Sequence, residues 1–515
     1  MMVNPAEIKK FVIDGAGLTM EELVAAARFG AKVSIAPKAV EAMAASRALV
    51  EKIVEEKRTA YGVNTGFGDF SKVAIPEEQA AQLQNNLIYS HCTGTGDPYK
   101  EEVVRGMLLL RANALCGGNS GIRPELVQTI VDMLNAGVHP VVPQKGSLGA
   151  SGDLAPLSHM ALVLLGKGQA IYQGEKLPGG EAMKRAGLST YTLQPKEGLA
   201  LTNGTQAMTS VGALALYDTI CAAKLADIIG SMTMEALAGL RNAFEDRVQA
   251  VRPHKGQQLV AKNFRTLMAG SEILDRSQKM RVQDAYSLRC IPQVHGAIRD
   301  ALAYIQSTVE VEMNSVTDNP LLFLEDEAVI SGGNFHGEPM ALVFDYLGIV
   351  CSEIADISER RLERMVNEKL SEGLPPFLAP EGGLNSGFMI VQYSAASMVS
   401  ENKVLAHPAS VDSIPSSANQ EDLVSMGTTA ARKSGWIVEN TLSVLAMELM
   451  GAAQGIDLRG GKPSKPHQAV LERVRRDVAF YNVDREIWPD IEKMNEMVRD
   501  GSILEIIAKE APDFE

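Results

Sequence analysis

The sequence predicts a mainly α-helical protein, a bundle of long helices with a smaller N-terminal region of short helices, loops and a few short strands. Residues 340 to about 372 contain no proline and carry apolar residues at roughly helical spacing. At ~1.5 Å per residue, a helix of this length would approach ~50 Å. Similar helices are predicted around Ser397, around Leu442 and before a break at Asp318-Asn319-Pro320. Helices this long with few strands between them indicate a bundle.

The first third of the chain instead alternates short helical patterns with glycine-rich loops. Thr19-x-x-Glu22 predicts a capping box that opens an amphipathic helix. Pro76 and Pro124 are each predicted at the start of a helix. The helix after Pro124 should stop near Gly137.

The length of 515 residues is too great for one small core, so more than one packed region is expected. We place a boundary near residue 200. Residues 1–200 would carry the loops that bear chemistry, and residues 201–515 the long-helix bundle. Short strands are predicted at residues 141–142 and 170–172 in the first region.

Charge and cysteine usage exclude several classes of partner. The net charge of −14 and the lack of a basic stripe argue against a nucleic-acid partner. The five cysteines are scattered without a C-x-x-C pair, and no two of the eight histidines lie within five residues, so no metal site is expected. The N-terminus does not resemble a signal peptide, and the longest apolar run is far shorter than a bilayer span. We therefore expect a cytoplasmic protein without a membrane partner.

The most informative stretch is GSLGASGDLAPLSHM at residues 146–160. One interpretation is a glycine-rich turn capped by Asp153 that leads into a helix. A serine hydrolase elbow requires G-x-S-x-G, and this stretch fails at the last position. Phosphate-loop and dinucleotide fingerprints are absent as well.

A fourth chemistry uses every residue of Ala150-Ser151-Gly152. In a compressed loop, the backbone nitrogen of Gly152 can attack the carbonyl carbon of Ala150, because glycine has no side chain to block the approach. The β-hydroxyl of Ser151 can then leave as water. Loss of two waters gives a five-membered ring with an exocyclic methylidene, which is a strong electrophile.

The run GSLGASGDLAPL resembles the signature of the aromatic amino acid ammonia-lyases and aminomutases. Those enzymes carry the ring just described, 4-methylidene-imidazol-5-one (MIO), and the resemblance implies that it forms here from Ala150, Ser151 and Gly152. It also implies a homotetramer whose active sites are each built from three chains and act on a small amino acid. The other matching stretches are residues 61–68 (YGVNTGFG), 90–91 (SH), 201–204 (LTNG), 283–289 (QDAYSLR), 333–338 (GNFHGE) and 417–422 (SANQED).

The resemblance implies roles for residues whose ordinary interpretation would be structural. Tyr61 would be the base that removes a β-proton from the substrate, on a mobile glycine-rich loop. Because a tyrosine titrates near pH ~10, its pKa would have to fall by two to three units, through nearby cations or hydrogen-bond donors. Arg289 would bind the substrate carboxylate bidentately. Asn203, Gln283 and Tyr286 would be polar neighbours of the ring and of the substrate carboxylate. Phe335 would form an apolar wall of the site.

Two residues, His91 and Glu421, bear on the identity of the substrate. Ser90-His91 and Glu421 resemble the branch of the family that converts L-histidine to urocanate. Leu423 and Asn119 depart from that pattern. A tyrosine or phenylalanine ammonia-lyase or an aminomutase is the alternative within the family, and a non-catalytic helical scaffold is the alternative outside it. A fumarase-like lyase lacks support, because the G-S-S-x-M-P-x-K loop is absent.

Overall fold

The computed structural model describes residues 4–73, 75–278 and 281–515. Most of these residues are helical, which confirms the predicted fold class. In chain order the helices are α1 Met20–Phe29, α2 Pro37–Glu55, α3 Glu77–His91, α4 Glu101–Cys116, α5 Pro124–Ala136, α6 Leu154–Leu164, α7 Gly179–Arg185, α8 Glu197–Thr202, α9 Gln206–Ala236, α10 Asp246–Ala250, α11 Lys255–Leu267, α12 Glu272–Ser277, α13 Tyr286–Arg289, α14 Ile291–Met313, α15 Glu338–Val366, α16 Met389–Leu405, α17 Gly427–Arg459, α18 Lys465–Asp477, α19 Trp488–Met497 and α20 Ser502–Glu510.

The strands of the described residues are short. They are β1 Lys10–Ile13, β2 Lys32–Ile35, β3 Thr95–Pro98, β4 Val138–Pro140, β5 Pro143–Lys145, β6 Gln169–Tyr172, β7 Glu175–Pro178, β8 Leu321–Phe323 and β9 Ala328–Ile330. Strands β1 and β2 pair in parallel, with Lys10 opposite Lys32. The other pairings are antiparallel: β3 with β5, β8 with β9, and the three-stranded order β4-β6-β7.

The predicted element ends are confirmed where the signal is local. The Glu22 amide donates to Thr19 Oγ1 at 3.2 Å, and the Thr19 amide donates to the Glu22 carboxylate at 3.0 Å, which completes the capping box of α1. Pro124 is the first residue of α5, which ends just before Gly137. Pro76 stands one residue before α3 and not in its first turn.

Two predicted elements differ from the structure. Helix α15 ends at Val366 and not near residue 372, because the side chain of Asn367 accepts from the Lys369 amide at 3.2 Å and turns the chain. Residues 141–142 lie between strands, since the Val141 amide bonds to the Gln169 carbonyl while the Val142 carbonyl accepts from Tyr99. The strand predicted at residues 170–172 is confirmed as part of β6.

The chain forms two compact units, each assembled from separate segments. Unit 1 comprises Met1–Tyr217, Gln306–Asp345 and Pro408–Arg432, and unit 2 comprises Asp218–Ile305, Tyr346–His407 and Lys433–Glu515.

Helix α4 is the centre of unit 1. Every residue from Val103 to Cys116 is buried, and α4 packs against α1, α2 and α5. It buries two arginines, Arg105 and Arg111. Within the described part of the chain, the Arg105 guanidinium donates only to backbone carbonyls, at 2.7 Å to Ala26 and 3.2 Å to Leu134. The buried Arg105 guanidinium is therefore satisfied by the backbone of neighbouring elements.

Unit 2 is held by a buried ion-pair network. Arg361 and Glu448 are fully buried and form a bidentate pair at 2.5 and 2.8 Å. His295 contacts the buried Asp227 at 2.8 Å, and its other ring nitrogen lies 3.3 Å from Arg361. Such a network specifies the arrangement of helices because removing any one partner leaves a charge unpaired. In the part of the chain described, no helix is both long and apolar enough to cross a bilayer.

Candidate active site

The 146–153 loop forms a tight backbone turn against a second glycine. Gly149 and Gly152 form an antiparallel bridge, and Gly152 pairs in parallel with Gly204. The Asp153 amide donates to the Gly204 carbonyl at 2.7 Å. Gly152 has a φ of 70°, and a Cβ placed on it would lie 2.1 Å from the Gly204 oxygen. Only glycine fits this position.

The Gly204 segment forms one wall of the loop. The second wall is formed by residues just before α17 and in its first turn. The Met426 amide donates to the Leu148 carbonyl at 2.9 Å, and Ser425 Oγ donates to the Gly149 carbonyl at 3.3 Å. Thr428 Oγ1 lies 2.9 Å from Ser147 Oγ. The loop is thus held between residues 203–208 on one side and residues 425–428 on the other.

Asp153 joins the two walls, and it does not cap α6 as the sequence suggested. It occupies the N-cap position, but its carboxylate makes no capping bond. Instead it accepts from the Met208 amide at 2.8 Å, from Thr428 Oγ1 at 2.5 Å and from Ser147 Oγ at 3.0 Å. Burial raises the pKa of Asp153, although these donors oppose the shift.

Ser151 faces a carboxylate that is distant in sequence. Its Oγ donates to Glu421 Oε1 at 3.2 Å, and Glu421 Oε2 lies 3.3 Å from Ser416 Oγ. Ser416 and Glu421 also exchange two backbone hydrogen bonds, at 2.7 and 3.2 Å.

The turn that presents Glu421 is strained. The three residues 417–419 have φ values of 49°, 54° and 67° in the left-handed region, and no glycine is among them. Each such residue costs about 1–2 kcal/mol. Backbone strain of this kind persists where surrounding structure fixes it, and it is concentrated at functional sites.

Tyr61 stands on a loop that is anchored on both sides. Its neighbours Ala60 and Val63 are buried in a core cluster with residues of α2 and β8. The Gly62 carbonyl accepts from Gln84 Nε2 at 3.4 Å. The phenolic oxygen of Tyr61 accepts from the Gly68 amide at 3.2 Å.

The electrostatics of Tyr61 differ from the expectation. Burial raises the pKa of Tyr61, and the negative charge of Glu421 raises it further, while the Gly68 amide lowers it. The expected lowering by cations and donors is therefore wrong for the chain by itself. The one donor on the phenolic oxygen does not outweigh desolvation.

His91 ends α3 and is held by the preceding residue. Its Nδ1 lies 2.9 Å from Ser90 Oγ, which also donates to the Leu87 carbonyl at 3.1 Å. Burial lowers the pKa of His91, although Leu87 and Glu421 oppose the shift. The ring is therefore held in its neutral form near neutral pH.

The remaining residues implied by the sequence lie in different parts of the fold. Asn203 is buried beside Gly204; its Nδ2 donates to the Asn319 carbonyl at 3.1 Å, and its Oδ1 has no partner among the described residues. Phe335 is half-buried in unit 1. Gln283, Tyr286 and Arg289 belong to unit 2.

The unit 2 segment is open to solvent. Gln283 is exposed, Val282 is 92% exposed and Tyr286 is 70% exposed. The Arg289 guanidinium stacks on the Tyr286 ring, 4.8 Å from its centroid. A guanidinium on an exposed aromatic face keeps its outer N–H groups available for an anion.

The two departures from the family pattern lie in different surroundings. Asn119 has a structural role, because it is hydrogen-bonded twice to Leu322. Its side-chain Nδ2 donates to the Leu322 carbonyl, and its backbone carbonyl accepts from the Leu322 amide, both at 2.9 Å. Leu423 is 64% exposed, and its carbonyl lies 3.4 Å from His336 Nε2.

Sequence reasoning did not find the walls of the loop. Ser425 and Thr428 are common polar residues without a distinguishing pattern. Gly204 was part of a matching motif, but its contact with Gly152 gave no signal in the sequence. The assembled site holds a serine hydroxyl against a carboxylate and a compressed backbone at the next peptide bonds, which suits an internal condensation.

Comparison with known proteins places these features in context. The family model described as aromatic amino acid lyase matches residues 18–476. The histidine ammonia-lyase of Alkaliphilus metalliredigens is 55% identical over 503 residues, covering 98% of this chain and 99% of that protein. The crystal structure of histidine ammonia-lyase from Trypanosoma cruzi has a TM-score of 0.92 and 43% identity, covering 98% of this chain and 96% of that one. Tyrosine aminomutase from Streptomyces globisporus has a TM-score of 0.92 and 36% identity, covering 98% and 99%.

Glu421→Gln tests the electrostatic coupling in the site. The Glu421 charge favours the protonated forms of both Tyr61 and His91, so its removal should lower both pKa values. Tyrosinate absorbance, taken as the difference from Tyr61→Phe in each background, reports the first, and histidine NMR reports the second. The exposed neighbour Asp422→Asn is the control and should leave both unchanged. A Tyr61 pKa that rises or stays constant in Glu421→Gln contradicts the coupling.

Proposed function

The chain belongs to the aromatic amino acid lyase family, and from that membership we propose that it eliminates ammonia from L-histidine to give trans-urocanate. The observation that carries this proposal is the 146–153 loop, which holds Ser151 beside Glu421 and compresses Gly152 against Gly204. Full-length identity to proteins named histidine ammonia-lyase supports the substrate. It also argues against the non-catalytic scaffold.

The residues of the loop fit the formation of MIO. The bridge between Gly149 and Gly152 turns the chain back on itself, and the Gly204 backbone occupies the space that a Cβ on Gly152 would fill. A bond forms between the Gly152 nitrogen and the Ala150 carbonyl carbon. The Ala150 oxygen leaves as water with the amide protons of Gly152 and Ser151, and the Ser151 hydroxyl then leaves as water with the Ser151 α-proton.

Residues of the chain itself would bind at the ring and remove the β-proton of the substrate. When present, MIO supplies an electrophile that makes the amino group of the substrate a better leaving group. Asn203, buried next to Gly204 with an unpartnered Oδ1, is available to hydrogen-bond at the ring. Tyr61 is the candidate base for the β-proton.

An intact-mass measurement tests the ring directly. Purified wild-type protein should be lighter than its encoded mass by two waters, because both condensations release one. Ser151→Ala should show neither the deficit nor activity, while keeping the fold by circular dichroism. Active wild-type protein with the full encoded mass would refute the modification.

We further propose that the active site is shared between chains of a homotetramer. The exposed segment of Gln283, Tyr286 and Arg289 would serve the site of another chain, and Arg289 would bind the substrate carboxylate. Exposed apolar side chains on long helices, including Tyr304, Ile349, Ile390 and Tyr393, support a large interface. A cation from another chain would also lower the pKa of Tyr61, which the residues of unit 1 alone do not do.

Mixing two inactive variants tests both the base and the sharing. Tyr61→Phe removes only the hydroxyl, and its kcat should fall at least ~10²-fold, the usual worth of a general base. Arg289→Met should be similarly impaired in kcat/KM. Co-expressed in equal amounts, they should regain activity, with about one quarter of sites intact if the two residues come from different chains.

Light scattering on the same samples should give four chains per particle. Tyr61→Phe and Arg289→Met proteins mixed only after separate assembly are the control and should stay inactive. An active monomer, or mixed tetramers with no gain over either variant, would rule out shared sites.

The substrate preference follows from His91 and Glu421. Both are polar groups at the site in unit 1, and a neutral imidazole offers one donor and one acceptor. A phenyl ring satisfies neither group. Leaving buried polar groups unpaired costs about 1–3 kcal/mol each.

Parallel kinetics with three amino acids test this preference. We expect kcat/KM for histidine to exceed that for phenylalanine by ~10²–10⁴, as for sites that hydrogen-bond their substrate. His91→Leu should reduce that ratio. Tyrosine is the closer competitor, and a wild-type preference for tyrosine, or a histidine ratio unaffected by His91→Leu, would overturn the assignment while leaving the lyase chemistry intact. β-Tyrosine among the products would identify an aminomutase.

A further inference from the structure

Arg111 is a buried cation that the proposed chemistry does not yet use. It lies on α4, is fully buried, and burial lowers its pKa to about 10. Among the described residues, its hydrogen bonds all go to one short segment. Nη1 donates to the Asn203 carbonyl and to Gln206 Oε1, both at 2.8 Å, and Nη2 donates to the Ala200 carbonyl.

No carboxylate neutralises Arg111 directly among the described residues. The negative charge of Asp318 raises the pKa of Arg111, but Asp318 is bound at 2.6 Å by the buried Lys196. Arg111 Nε has no hydrogen-bond partner in the described part of the chain. A buried guanidinium without its own counter-ion is costly. The hydrogen bonds that Arg111 makes to residues 200–206 offset part of this cost.

A continuous line of contacts runs from Arg111 to the 146–153 loop. A Cβ placed on Gly204 would lie 2.5 Å from Arg111 Nη1, so the guanidinium packs directly against the Gly204 backbone. On its other side, the Gly204 carbonyl accepts from the Asp153 amide at 2.7 Å. The same oxygen would lie 2.1 Å from a Cβ on Gly152. Arg111, Gly204 and Gly152 thus form a close-packed stack.

We propose that Arg111 is a positioning residue for ring closure, acting through Gly204 to hold the Gly152 nitrogen against the Ala150 carbonyl carbon. This inference rests on the proposed formation of MIO. Arg111 contacts neither the reacting atoms nor the substrate. Its contribution is to fix the carbonyls of Ala200 and Asn203, and so to prevent the backbone at Gly204 from moving away from Gly152.

Arginine suits this task better than lysine does. The planar guanidinium directs several N–H groups at fixed angles and bonds two carbonyls and an amide at once. A lysine ammonium at the same position keeps the charge but loses that geometry. Small displacements of reacting groups cost up to ~10²-fold in rate. The expected defect is therefore slow ring formation in a protein that still folds.

Arg105 provides a matched control on the same helix. It is also a buried arginine that bonds only to backbone carbonyls, and burial lowers its pKa as well. Its partners Ala26, Ala27 and Leu134 lie outside the 146–153 loop and both of its walls. Arg105→Lys should therefore cost stability in the same way as Arg111→Lys without affecting the ring.

The experiment follows ring formation in wild type, Arg111→Lys and Arg105→Lys. Cells receive a short pulse of labelled amino acid, and the fraction of labelled full-length chains lacking two waters is measured by mass spectrometry over time. Thermal unfolding of each purified protein is recorded in parallel. Arg111→Lys should form the ring at least ~10-fold more slowly than Arg105→Lys at comparable thermal stability. Once the ring has formed, kcat per ring should be near that of wild type.

The outcomes separate the inference from the proposed function. If wild type shows no loss of water, the proposed function fails. If wild type matures and Arg111→Lys matures equally fast, the positioning role is overturned. If Arg111→Lys does not fold, Gln206→Leu decides, since it removes one acceptor of the guanidinium. Slower ring formation in Gln206→Leu, with Gln206→Glu near wild type, supports the role, and unchanged ring formation in Gln206→Leu refutes it.

Discussion

The backbone contact between Gly152 and Gly204 is the constraint on which the site depends. A Cβ on Gly152 would clash with the Gly204 backbone, and a Cβ on Gly204 would clash with the side chains of Arg111 and Gln206, so neither position tolerates a side chain. The structure holds the two peptide segments with polar groups that are costly to bury, among them Asp153 and Arg111. Burial raises the pKa of the Asp153 carboxyl and lowers that of the Arg111 guanidinium. Their hydrogen bonds offset part of the desolvation cost and fix the geometry.

The electrostatic design of unit 1 is incomplete on its own. Burial makes Tyr61 a weaker acid and His91 a weaker base, and Glu421 favours the proton on both. A strained left-handed turn at residues 417–419 holds that carboxylate in place. Under the proposed function, a positive charge from another chain would have to lower the Tyr61 pKa before this residue could act as the base.

The sequence predicted features that depend on neighbouring residues, but it did not predict contacts between residues that are far apart in the chain. The capping box at Thr19 and the helix start at Pro124 were confirmed, because each depends on residues within one helical turn. The end of α15 was misplaced because apolar spacing continues past Asn367, where a side chain turns the chain. The contact of Ser151 with Glu421 joins residues far apart in sequence. The sequence does not predict the left-handed turn before Glu421, because residues 417–419 include no glycine.

The interleaving of segments in unit 1 sets the order of events during synthesis. The first wall of the 146–153 loop is translated soon after the loop itself, but Ser425 and Thr428 belong to the last segment of the unit, Pro408–Arg432. While the ribosome is still adding the residues between, the loop can contact residues 203–208 but lacks the hydrogen bonds of Ser425, Met426 and Thr428. Under the proposed function, ring closure that needs both walls would wait until residues 425–428 have been synthesised. Translation products that end before these residues would keep an ordinary serine at position 151.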